Sequence, residues 1–121
     1  MKLDLDLMRQ IMLEIEKLPA GVIAQNFRLD GAEHFVVLEH LRLLHEEGYF
    51  DGCIVPGKNG QPLQAAVTRL TMKGHEFVRN AHNDTLWKKV TSDAQAKGSS
   101  VGLALLNRLL EKAAEKWLGL E

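Results

Sequence analysis

His75 and Glu76 open the run HEFVR, the start of the HExxH arrangement in which two histidines one helical turn apart hold zinc and the glutamate acts as base. The second ligand is missing, because the fourth position after His75 is Arg79. His82, with Asp84 close behind, lies seven residues beyond His75. Two helical turns separate such imidazoles by roughly 10 Å, too far for one ion with ligand distances near 2 Å. Cys53 is the one cysteine, so the chain can build neither an intrachain disulfide nor a thiolate cage. It reads as a small strand residue in a reducing compartment. No Ser-His-Asp, Cys-His or glycine-rich phosphate-loop arrangement is present. These residues nominate no catalytic group, metal or cofactor, and the expectation is a protein that is not an enzyme.

The remaining chemistry is charge. Arg42, Lys58, Arg69, Lys88 and Lys89 are the candidate nucleic-acid contacts, Arg42 as a base reader and Lys58 and Arg69 as phosphate contacts. From Arg69 to Lys97 there are six bases against three acids, and Trp87 stands beside Lys88 and Lys89. Its spacing with Leu86 and Val90 makes Trp87 a core residue first. From Asp30 to Gly48 the balance reverses, with five acids against the single base Arg42, a net of -4. Phosphate neutralisation dominates DNA affinity, so a helix this acidic is repelled by a duplex. A net charge of -1 and a pI near 6.5 add to that handicap.

Several helices must position these groups. Leu7, Met8, Ile11, Met12, Ile15 and Leu18 recur in steps of three and four between Asp4 and Leu18, with Asp4 or Asp6 as cap and Pro19 and Gly21 as stop. Val22, Ile23 and Phe27 lack that spacing and predict a short strand or extended arm over 21–29. A second helix is predicted from Ala32 to Glu47, capped by Asp30 and ended by Gly48. Its main apolar face is Val37, Leu38, Leu41 and Leu44, with His34 and His45 at the margins. Val36 and Leu43 form a second line seven residues apart, which implies a second packing partner. Tyr49 to Val55 and Leu63 to Thr68 read as strands around a Pro56 to Pro62 turn, where Asn59-Gly60 supplies positive backbone angles.

Thr71 caps a helix bearing Phe77, Val78 and Ala81, in which Gly74 is tolerated at some loss of helix propensity. Asn83 or Asp84 begins another, broken at Gly98-Ser99-Ser100, where Ser99 or Ser100 caps the last helix. Leu103, Leu106, Leu110, Ala113, Trp117 and Leu120 then follow a heptad seam, widened by Leu105 and Leu109. At under three heptads this helix must dock on the body or on another subunit.

These elements define an α+β fold: a winged-helix-like core over 1–82, with a small antiparallel sheet and hairpin wing, and a helical extension over 83–121, together one structural unit. The 45% hydrophobic content is ordinary for a globular domain of 121 residues. No run approaches the ~20 apolar residues of a membrane span, and the opening MKLDLDLMRQ places aspartates where a signal peptide needs an apolar core. A cytoplasmic protein is expected.

The opening MKLDLDLMRQIMLEIE, the block HLRLLHEEGYF and the block LTMKGHEFVRNAHNDTLWKKV, with an amphipathic C-terminal helix, resemble the bacterial and prophage family called domain of unknown function 2513. That resemblance implies a winged-helix-like fold and assigns no catalytic or ligand residue. His40 to Phe50 is also similar to the recognition helix of ArsR-type and MarR-type repressors, without a separate helix between Gly21 and Asp30. The expected function is a non-enzymatic interaction or assembly module of mobile-element origin, with a protein partner or a second copy. Val36, Leu43, Leu103, Leu106, Leu110, Ala113 and Trp117 are its candidate interface. A winged-helix transcriptional regulator is the alternative.

Overall fold

The computed structural model of the chain describes residues 1–96 and 102–117. They form a mixed α+β structure with five α-helices and a two-stranded antiparallel sheet among the described residues. The chain divides into two compact units, Met1–Glu76 and Phe77–Glu121.

In the first unit, helix α1 (Leu5–Glu16) begins at Asp4, whose carboxylate accepts the Leu7 amide at 3.0 Å. Its buried stripe is the predicted one, Leu7, Met8, Ile11, Met12 and Ile15, and Leu18 falls beyond its end. The following segment makes no full strand. Ala24 forms one antiparallel bridge with Val67, and the Phe27 amide donates to the Ala65 carbonyl at 3.1 Å. Phe27 is buried there while Val22 and Ile23 remain exposed.

Helix α2 (His34–Glu46) starts later than expected, and its cap is Glu33 instead of Asp30. The Glu33 carboxylate accepts the amides of Phe35 at 3.3 Å and Val36 at 3.0 Å. Gly31, at φ +81°, turns the chain between Asp30 and the helix and so leaves Asp30 outside the first turn. The far end follows expectation: Gly48 takes φ +77°, its amide donates to His45 O and the Tyr49 amide to Leu44 O, both at 3.0 Å. That is the Schellman closure of a helix.

Strands β1 (Phe50–Pro56) and β2 (Pro62–Leu70) pair with Phe50 opposite Leu70 and Asp51 opposite Arg69. A bulge then sets Gly52 opposite Val67. The close approach there admits only glycine, since a Cβ on Gly52 would lie 2.0 Å from the Ala66 carbonyl oxygen. Ala65 and Val67 are buried, as is Leu70 at the strand's end, whereas Leu63, of the same parity as Ala65 and Val67, is exposed at the far end of the hairpin. Between the strands Lys58–Gly60 makes one 3₁₀ turn in which Asn59 takes φ 59° and Gly60 φ +74°. The Asn-Gly pair thus adopts the left-handed angles its types favour.

Helix α3 (Met72–Ala81) follows directly. The Thr71 hydroxyl accepts the Gly74 amide at 3.2 Å and donates to the Gly48 carbonyl, so one side chain starts this helix and ties it to the end of α2. Gly74 is required here and not merely tolerated: a Cβ would stand 2.2 Å from the Tyr49 carbonyl oxygen and 3.0 Å from Leu70.

The second unit holds helices α4 (Asp84–Ala96) and α5 (Leu103–Trp117), which pack on each other. Asn83 caps α4 through the Leu86 amide at 3.1 Å. Trp87 is core, edge-to-face with Phe77 at 6.0 Å between ring centroids. The Asn80 amide donates to Asn107 Oδ1 at 3.0 Å. The expected break at Gly98-Ser99-Ser100, its serine caps and Leu120 lie outside the described residues.

Candidate interaction face

Helix α2 is held at both ends and along one side. Its inner residues Val37, Leu38, Leu41 and Leu44 are buried, as their spacing requires, and the helix packs on α1, β1 and β2. His40 belongs to that inner side and was not expected there. It is fully buried, its Nδ1 donates to the Val36 carbonyl at 2.8 Å, and its Nε2 accepts the Asp4 amide at 2.9 Å. A neutral imidazole carrying its proton on Nδ1 satisfies both bonds. The sequence does hold the signal, since His40 stands three residues after Val37 and four before Leu44.

The outer side carries Phe35, Glu39, Arg42 and Glu46, four residues whose spacing puts them on one line. Phe35 is 60% exposed, a large apolar ring held in water. Val36 and Leu43, half-buried, flank that line. Arg42 is spent locally: Nη2 pairs with Glu39 at 2.7 Å, and Nη1 donates to the Gly60 carbonyl at 2.9 Å. The sole base of the segment 30–48 therefore clips the helix to the tip of the hairpin. Beside the clip, Phe35, Glu39, Gln61 and Pro62 line a shallow groove of about 290 Å³.

Of the other candidate phosphate contacts, Arg69 pairs with Asp51 at 2.7 Å across the sheet, and Lys88 pairs with Asp84 at 3.1 Å along α4. Lys58 at the hairpin tip and Lys89 on α4 are exposed. The structure does not gather these five cations into one stripe within either unit: Arg42, Lys58 and Arg69 fall in the first, Lys88 and Lys89 in the second.

The candidate apolar interface is similarly divided. Leu106 and Leu110 are fully buried within a single chain, and Leu103 and Ala113 are half-buried. The Trp117 side chain lies outside the described residues. The exposed apolar surface of α5 is carried instead by Leu105 and Leu109, one residue before each buried leucine.

A larger groove of about 570 Å³ in the first unit is lined by Ile15, Leu18, Pro19, Val22, Ile23 and the Asp51–Arg69 ion pair, with His75 at its margin. His75 and His82 are both exposed, and no group of three or more His, Cys, Asp or Glu side chains is placed to hold a metal among the described residues. Cys53 is exposed on β1, opposite Ala66. No helix among the described residues is long and apolar enough to cross a membrane.

Fold and face together define a small α+β protein in which helix α2 presents an exposed aromatic ring and is braced by a hairpin. The chain belongs to the DUF2513 family, described as a hypothetical protein, whose model matches residues 2–100. It is similar to an uncharacterized protein of Haemophilus influenzae, 25% identical over 121 residues that cover 98% of this chain and 99% of the relative. No solved structure matches this chain significantly.

Proposed function

We propose that the protein is a non-enzymatic, cytoplasmic interaction module of the winged-helix type, which engages a protein partner through the outer face of α2 and the hairpin beside it. The order of helix, bridging arm, helix and hairpin supports the winged-helix reading, with α2 in the place of the recognition helix. The observation that carries the functional reading is the use of Arg42. The only cation of the acidic segment is bound to Glu39 and the Gly60 carbonyl, which leaves Glu46 and Phe35 exposed on the outward line. Such a face suits an apolar contact with a polar rim and suits a phosphate backbone poorly.

A second reading, duplex binding, is favoured by one feature, Lys58 exposed at the tip of the hairpin. Two measurements decide. Affinity capture from the native host with the wild-type chain and with Phe35→Asp should recover a partner with the first and lose it with the second, while circular dichroism stays unchanged. Fluorescence anisotropy with mixed-sequence duplex at low ionic strength should show no saturable binding. A salt-dependent duplex affinity that Lys58→Ala weakens would replace this reading with the DNA-binding one.

A further inference from the structure

Helix α5 presents a stripe that mirrors the outer face of α2. Leu105 and Leu109, 42% and 36% exposed, are followed on the same side of the helix by Lys112 and Lys116, both exposed. The spacing from Leu105 through Leu109 and Lys112 to Lys116 repeats the spacing from Phe35 through Glu39 and Arg42 to Glu46. Each set spans about 60° of helix circumference and roughly 16 Å of length. Both begin apolar; the α2 set then carries Glu39, Arg42 and Glu46, a net of -1, and the α5 set carries Lys112 and Lys116, a net of +2, with Arg108 near the lysines and the exposed Glu111 and Glu115 adjoining them in sequence.

The same opposition holds between the units. Residues 1–76 carry eleven acids and eight bases, a net of -3, and residues 77–121 carry seven bases and five acids, a net of +2, which together make the chain's -1.

We infer that the partner of the α2 face is a second copy of this chain, which docks the Leu105–Lys116 stripe of its α5 onto Phe35, Glu39 and Glu46. This rests on the reading of α2 as an interaction face. Leu105 and Leu109 cover the Phe35 ring, and Lys112 and Lys116 meet Glu46, which is exposed at the end of the line, and Glu39, whose carboxylate already pairs with Arg42. The contact joins two different surfaces, so it closes either about a two-fold axis, made twice, or as a head-to-tail chain. With one helix face on each side the contact is small, and the association is of the transient class.

Sedimentation equilibrium of the full chain over a wide concentration range tests this. The wild type should self-associate. Glu39→Lys with Glu46→Lys, and separately Lys112→Glu with Lys116→Glu, should each raise the dissociation constant about tenfold or more. An equimolar mixture of the two charge-reversed chains should recover association, because the reversed stripes are again complementary. Phe35→Ser, which changes no charge, provides a second α2 variant if the first fails to fold. A wild type that stays monomeric at the highest concentration, or one whose association is indifferent to all these changes, overturns the inference. If the chain stays monomeric while Phe35→Asp still loses a captured partner, only the identity of the partner falls. If Phe35→Asp alters neither capture nor sedimentation, the α2 face itself is the wrong surface.

Discussion

Gly74 and Tyr49 show how much single positions carry where α2 ends and α3 begins. Alanine is a better helix former than glycine by about 1 kcal/mol, so propensity alone favours Gly74→Ala. The Tyr49 carbonyl 2.2 Å from the would-be Cβ reverses the sign. Gly74→Ala is expected to destabilise the chain by about 1–3 kcal/mol in urea unfolding, and a gain in stability would show that the backbone yields without penalty. Tyr49 is buried beneath the Lys73 ammonium, 4.5 Å from its ring centroid. Burial pushes its phenol above the ordinary value of 10.0, and the Glu47 carboxylate pushes in the same direction. Well below pH 10 both folded and unfolded chains keep the proton. As pH rises further the unfolded chain releases it first, so this residue's stabilising contribution is lost on the alkaline side. Tyr49 is the one tyrosine, so the tyrosinate absorbance reports it alone. Its midpoint should lie above 10 in the native protein and return to about 10 in denaturant.

At the scale of elements, periodicity made the helices legible, and tertiary contact decided what periodicity missed. The inward apolar residues of α1 and α2 could be read directly, though not His40 among them, because a helix with one buried side repeats its apolar positions every three or four residues. The Schellman end at Gly48 and the left-handed Asn59-Gly60 turn were legible because their residue types leave few backbone options. The Glu33 cap was not, since it depends on the path that Gly31 gives the chain, and Asp is the commoner capping type. The need for Gly74 was invisible because a carbonyl distant in sequence imposes it. Burial of Leu106 and Leu110 was legible as a seam, yet which neighbouring leucines stay exposed depends on the packing of α4 against α5. The candidate face was half legible: the sequence shows its acidity, and only the structure shows where the guanidinium of Arg42 goes. Alanine substitutions resolve the two sides of each helix. Leu41→Ala, Leu44→Ala and Leu106→Ala should each cost about 2–5 kcal/mol, because each empties a fully packed site. Leu105→Ala should fall within about 0.5 kcal/mol of wild type, as a surface change does. Equal losses at Leu105 and Leu106 in thermal or urea unfolding would mean that the exposed stripe is core.

For the whole molecule, a formal charge of -1 conceals a division into an acidic and a basic unit. Near-neutral net charge leaves little long-range repulsion between copies, while the opposed halves attract when suitably oriented. Self-association should therefore weaken as the screening length falls from about 10 Å at 0.1 M salt to about 3 Å at 1 M. Sedimentation at the two salt concentrations checks this. Association that strengthens with salt would indicate an apolar contact without the lysine and glutamate contribution.

The clip from Arg42 to the hairpin tip has a consequence for how the sequence can drift. Its acceptor is the main-chain carbonyl of Gly60, so the guanidinium recognises the path of the loop and no side chain on it. Asn59 and Gly60 are confined by their left-handed angles, but Lys58 and Gln61 beside them are exposed and take no part in the clip through their side chains. Relatives that keep the loop's length can thus exchange the chemistry at its tip while the scaffold stays as it is. One architecture can then carry different side chains at this tip, and such an exchange requires no rebuilding of the helix behind it.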